Sequence, residues 1–199
     1  MNVIQTSRCQ RLKAIQRFRH FSKTTLFNEK ENPSRKIERP IFIAATKQHV
    51  GKTSVSLSLL SGLQKRFENV GFIKPVGQQH VPVHSSLKDK EIRVDKDVCL
   101  MRERFNLNHI DYGDMSPVLI PQGYTKKFID GNIDHQDQLD AIQKAFKNIS
   151  AASDVVLCEG TGHCSVGSIV GVNNAQVASF IGADMILVRV FCFFLPVTF

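Results

Sequence analysis

The stretch Thr46-Lys47-Gln48-His49-Val50-Gly51-Lys52-Thr53 has the residue types and order to do chemistry. It joins an apolar run to a helical pattern. At such a junction the N–H groups of a helix N-terminus point at an anion, and the helix dipole favours it. The ending Gly-Lys-Thr is that of a Walker A phosphate loop. Residues Thr46, Lys47, Gln48, His49, Val50, Gly51, Lys52, Thr53 and Ser54 are therefore expected to bind the cofactor, ATP. Lys52 would reach the β- and γ-phosphates, and the Thr53 hydroxyl would ligate Mg2+. The usual first glycine of such a loop is Thr46 here, and its centre holds Gln48 and His49.

A phosphate site needs an acid near its metal. Val155-Val156-Leu157-Cys158-Glu159-Gly160 supplies one, a carboxylate at the carboxyl end of an apolar strand. A charge there is costly unless paired or metal-bound. Glu159 is expected to hold Mg2+; the alternative is an acid that caps the following turn. Asp95 and Asp97 precede a short helix. Either they cap it, worth about 1 kcal/mol, or Asp97, and less so Asp95, brings a second ligand to the metal. Lys74 closes a strand in Gly71-Phe72-Ile73-Lys74-Pro75-Val76-Gly77 and would face the ligand crevice. Lys52 and Lys74 are the expected catalytic pair. Thr53, Asp97 and Glu159 are the expected metal set. His163 and Cys164 are adjacent with no third group to orient them, which argues against a nucleophilic pair.

Alternating strands and helices must position these groups, the pattern of a parallel α/β sheet flanked by helices. Strands are expected at Ile41 to Ala45, Val70 to Val76, Val155 to Cys158 and Met185 to Val190. The last reads as buried. Helices are expected at Lys52 to Phe67, Lys96 to Phe105, Gln136 to Ala151 and Asn174 to Ile181, with a loop-rich stretch over 106–135. The nucleotide-binding domain would span 38–190.

Residues 1–37 read as a leader and 191–199 as an atypical apolar tail. Net charge is +8, but residues 1–40 hold ten basic and three acidic side chains, a surplus of seven. The other 159 residues hold sixteen and fifteen, so the domain is nearly neutral and nucleic-acid binding is not expected. The start carries Arg8, Arg11, Lys13, Arg17, Arg19 and Lys23 before its first acid, Glu29. That reads as a mitochondrial transit peptide and a matrix location, or else as a disordered basic arm. No apolar run reaches the ~18 residues of a spanning helix. The five cysteines are odd in number and form no CxxC pair, so neither a disulfide framework nor a zinc site is expected.

The stretches IFIAATKQHVGKTSVSLSLLSGLQKRF-ENVGFIKPVGQ, VDKDVCLMR, VVLCEGTGH and GSIVGVNNAQVASFIGADMILV resemble, in that order, the dethiobiotin synthetase group. That group includes cobyrinic acid a,c-diamide synthases and the N-terminal domain of long phosphate acetyltransferases. The resemblance covers about residues 40–188. It implies a P-loop NTPase fold, with Thr53, Asp97 and Glu159 on Mg2+, Lys52 on phosphate and Lys74 near the substrate. Lys47 matches the signature lysine of deviant Walker A loops, which contacts phosphate across a dimer; a solvated surface lysine is the other reading. The implied reaction is ATP-driven activation of a carboxylate for ring closure or amidation on an unidentified small molecule, in a possible homodimer. The alternatives are a nucleotide-binding regulatory module without ligase chemistry, or an inactive truncated isoform. The family sheet continues past Val188, whereas RVFCFFLPVTF resembles none of it, so the fold is expected to be incomplete at the C-terminus.

Overall fold

Four parallel strands carry the site: β1 (Ile41–Ala45), β2 (Val70–Ile73), β7 (Val155–Glu159) and β8 (Asp184–Val188), in the order β2-β7-β1-β8. The computed structural model describes residues 36–37, 39–85, 89–162 and 167–189. The expected leader up to residue 35, His163, Cys164 and the tail 191–199 lie outside these. β1 and β7 are apolar runs because the sheet buries them on both faces, as parallel sheets do. Their register sets Ile43 beside Glu159, so β7 ends level with the residues that lead into the phosphate loop.

The core gathers Phe42, Ile43, Phe72, Ile73 and Leu157 from these strands, each at most 1% exposed. Helix α1 (Lys52–Leu63) buries Lys52, Ser56 and Leu60, one residue per turn along a single stripe. It is shorter than the expected Lys52 to Phe67. Lys65 and Arg66 donate to carbonyls three residues back, which tightens the chain into turns after Leu63. Helix α5 (His135–Ala151) buries Gln138, Ile142, Ala145 and Ile149 at helical spacing and is capped by Asp134, which accepts from the Gln136 amide.

The expected strand Val70 to Val76 is in fact two. β2 stops at Ile73, and the Lys74 amide donates to Met115 O at 2.8 Å instead. Pro75 has no N–H to continue the ladder. Beyond it, β3 (Val76–Gly77) pairs in parallel with β6 (Val118–Leu119). A hairpin that the sequence reading did not place follows: β4 (His80–Ser85) antiparallel to β5 (Lys90–Asp95). Pro82 in β4 masks its strand character. The hairpin delivers Asp95 to the start of α2 (Lys96–Phe105). The stretch expected to be loop-rich, 106–135, holds two short helices, α3 (Tyr112–Met115) and α4 (Tyr124–Ile129), besides β6. After β7 the chain reaches α6 (Asn174–Phe180) and then β8. β8 is a strand as expected, but it is not buried. Among the described residues it lies at the sheet edge, with Met185, Ile186 and Leu187 exposed.

Candidate functional site

The phosphate loop leaves β1 and enters α1 through two left-handed residues, His49 (φ 59°) and Gly51 (φ 88°). Gly51 is the N-cap of α1 and needs this freedom, since a side chain at that φ is strained. The first helical bond runs from the Val55 amide to Gly51 O at 3.0 Å. The amides of Lys52, Thr53 and Ser54 precede it and have no partner within the helix, which is the anion-receiving geometry. No acidic side chain stands in the first turn to oppose an anion. Thr46 differs from the rest of the expected set: its amide donates to Val188 O at 3.2 Å and extends the β1–β8 ladder. Lys47, Gln48 and His49 are exposed, and Val50 is half-buried. The Gln48 side chain lies over Gly162, where an added Cβ would stand 3.1 Å from Gln48 Cγ.

Lys52 points inward. Its Nζ lies 2.5 Å from Glu159 Oε1, and the Thr53 hydroxyl donates to the same oxygen at 3.2 Å. Glu159 is fully buried, and its other oxygen, Oε2, accepts no hydrogen bond among the described residues. An ionised buried oxygen without a partner is expensive. Such an atom beside a phosphate loop suits a cation, and Thr53, Glu159 and the nearby Asp97 are oxygen donors of the kind magnesium takes. The capping alternative for Glu159 has no support here, because the carboxylate faces Lys52 and Thr53.

The second basic group is Lys74, also buried. It lies 2.9 Å from Asp95 Oδ1 and in closer contact with Asp97 Oδ2. Asp95 is almost fully used. It caps α2 by accepting from the Asp97 amide at 3.0 Å, and it accepts from the amides of Gln78 and Gln79 at 2.9 and 3.3 Å. Asp95 is thus the cap, and Asp97 stands in the first turn with its side chain turned to Lys74. Ser116 supports this corner by accepting from the Asp95 amide at 3.0 Å. Neither Ser116 nor the two glutamine amides was singled out from sequence, since nothing in the sequence spacing links them to Asp95.

The two ion pairs are electrostatic neighbours. Burial lowers the Lys52 pKa and Lys74 lowers it further, against the opposing pull of Glu159 and Asp97; the net shift is downward. Burial acts downward on Lys74 too, but Asp95, Asp97 and Glu159 with the Asp97 hydrogen bond outweigh it, so its pKa is raised. Lys74 is thereby fixed as a cation. Lys52 is the less favoured ammonium of the two, and a neighbouring anion would favour it.

A parallel sheet, a phosphate loop at the carboxyl end of β1 and a carboxylate at the end of β7 define a P-loop nucleotide-binding domain of α/β architecture. Residues 39–190 match the family model described as an AAA domain, and the chain belongs to that family. It is 32% identical to a phosphate acetyltransferase of Nitrosomonas europaea over 151 residues, which is 74% of this chain and 19% of that protein. It is 30% identical to the ATP-dependent dethiobiotin synthetase BioD of Sulfurovum sp. over 122 residues, 61% of this chain and 54% of that one. The corresponding protein of Clostridium perfringens is 25% identical over 126 residues, 63% and 52%. The chain thus spans about a fifth of the first relatives and about half of the second. No helix among the described residues is long and apolar enough to cross a membrane.

Proposed function

We propose that this chain binds Mg-ATP at the phosphate loop and uses it to activate a carboxylate. The observation that carries the proposal is the convergence of Lys52 and Thr53 on Glu159, whose second oxygen is buried without a partner among the described residues. The amides of the first turn of α1 and the Lys52 ammonium bind the phosphate chain. Thr53, Glu159 and Asp97 hold Mg2+, which when bound neutralises charge on the phosphates. Lys74 holds the substrate carboxylate beside the γ-phosphate after exchanging one of its aspartate partners. The carboxylate oxygen then takes the γ-phosphoryl group and ADP leaves. A nitrogen nucleophile displaces phosphate from the resulting acyl phosphate. Fixed positive charge around the transferred group supplies most of the acceleration.

A second reading is nucleotide binding without turnover. It is favoured by the longer match to the phosphate acetyltransferases, 74% of the chain against 61% for the Sulfurovum synthetase.

Calorimetric titration of Mg-ATP into the chain and into Lys52→Ala tests the shared part. The parent is expected to bind, and the variant to bind about 100-fold more weakly or not at all, a loss of roughly 2.7 kcal/mol. Circular dichroism of both samples shows whether the variant, with Glu159 left unpaired, is still folded. Equal affinity in a folded variant would discard the phosphate-loop assignment. Phosphate release stimulated by an added carboxylate separates the first reading from the second.

A further inference from the structure

Asn174 opens α6, at the far end of the segment that leaves β7. Its side chain is directed back at the turn after Glu159. Asn174 is 5% exposed and Thr161 is fully buried. The Thr161 amide donates to Asn174 Oδ1 at 2.8 Å, and the Thr161 hydroxyl donates to the same oxygen at 3.1 Å. Asn174 Nδ2 donates to Thr161 O at 3.4 Å. The orientation of this side chain follows from chemistry: a backbone N–H can only donate, so the atom facing it must be the amide oxygen.

Capping does not explain Asn174. The cap of α6 is Asn173, whose Oδ1 accepts from the Gln176 amide at 3.0 Å. Its own amide donates to Gln176 Oε1 at 3.1 Å, which completes a capping box. The two asparagines divide the work. Asn173 caps the start of the helix, and Asn174 serves the turn.

The turn is closely packed against this side chain. The Gly160 amide donates to Ile43 O at 2.9 Å, which carries the β1–β7 ladder one residue past Glu159. A Cβ on Gly160 would lie 2.5 Å from Asn174 Oδ1 and 2.8 Å from the Phe42 ring. Glycine is needed at 160 because Asn174 and Phe42 already fill that space. Glu159 is therefore fixed from two sides, by the β1 ladder and, through Gly160 and Thr161, by Asn174.

We infer that Asn174 is a positioning residue for the phosphate site, holding the Gly160–Thr161 turn so that Glu159 presents its carboxylate to Lys52, Thr53 and the metal. The inference rests on the reading of Glu159 as the metal-bearing carboxylate. It gives α6, which contributes no group to the site, control over the geometry of the metal ligand. Loss of the tie leaves the phosphate loop intact and lets the Glu159 carboxylate turn away.

The test compares ATP affinity with and without Mg2+ by calorimetry, in the full chain and its variants, with thermal melts alongside. In Asn174→Ala the metal-free affinity is expected to stay within about twofold, while the gain from Mg2+ falls about tenfold, or roughly 1.4 kcal/mol. Asn173→Ala is the control. It removes the cap of the same helix, so it lowers the melting temperature but leaves the Mg2+ gain unchanged. A full Mg2+ gain in Asn174→Ala, or an equal loss in Asn173→Ala, would overturn the inference. Should Asn174→Ala fail to fold, Asn174→Asp replaces it. That variant keeps the acceptor for the Thr161 amide and hydroxyl but puts a carboxylate oxygen in place of the Nδ2 donor, against the Thr161 carbonyl. It should lose the Mg2+ gain about two- to threefold, and no loss overturns the inference. Absence of any Mg2+ gain in the parent chain overturns the functional reading and the inference with it.

Discussion

β7 and β8 flank β1 on its two sides, both in parallel, and both are apolar runs. They meet opposite fates. Every residue of β7 is buried, down to the carboxylate that ends it. In β8, Met185, Ile186 and Leu187 are 42%, 43% and 56% exposed. The difference lies in what covers each strand. α1 and α5 pack on β7, and β2 closes its other edge. β8 has β1 on one side as its main neighbour among the described residues. An apolar run therefore makes a strand, but the flanking layers decide whether it is core. Only the covered strand can confine a carboxylate with few partners, and the proposed cation role of Glu159 rests on that confinement.

The largest effect separating the two strands should come from Leu157→Ala in β7. Leu157 is fully buried, so its truncation removes transfer energy and leaves a cavity. The expected loss is about 2–5 kcal/mol in chemical denaturation. A loss below about 1 kcal/mol would mean that the centre of the sheet repacks freely, and the contrast with β8 would fail.

Cys158, the next residue of β7, sharpens the comparison by chemistry. Burial pushes its thiol well above the usual thiol range. The reactive species is the thiolate, and no reagent reaches it in the folded sheet. Cys99 on α2 is partly exposed, and its thiol is raised chiefly by partial burial and by Glu103. In the native protein Cys158 is expected to alkylate ~10³-fold more slowly than in denaturant, the factor for a domain stable by about 4–5 kcal/mol. Peptide mapping after timed alkylation reads both sites. Native-state labelling of Cys158 as fast as that of Cys99 would show that β7 opens locally.

The same contrast explains how much was legible in the sequence. The phosphate loop, α1 and β7 were readable because local signals agree with their tertiary setting: Gly51 where φ is positive, Lys52-Thr53 at a helix start, and apolar runs in a doubly covered sheet. The break after Ile73 followed from Pro75, yet the run up to Val76 looked continuous because Val76 is itself buried in another strand pair. The β4–β5 hairpin was missed because Pro82 and the charges of Lys90, Glu91 and Arg93 dilute the alternation of Val81, Val83, Ile92 and Val94. The tie from Asn174 to Thr161 spans thirteen residues and has no periodic signature. The exposure of β8 could not be read at all, since Met185-Ile186-Leu187-Val188 has the composition of a buried strand.

The smallest effect is expected where that composition misleads most. Leu187→Ala in β8 removes a side chain that is more than half in solvent. Exposed substitutions of this kind change stability by about 0.5 kcal/mol or less. Measured in the same denaturation series as Leu157→Ala, it should leave the midpoint almost unmoved although the two changes are chemically identical. Among the described residues β8 pairs with β1 alone, and its exposed apolar row can serve as a template for association. Leu187→Ala is accordingly expected to raise the concentration at which the chain self-associates, as read by light scattering. A stability loss approaching that of Leu157→Ala would mean that β8 is covered in solution, and the distinction between the two neighbours of β1 would fall.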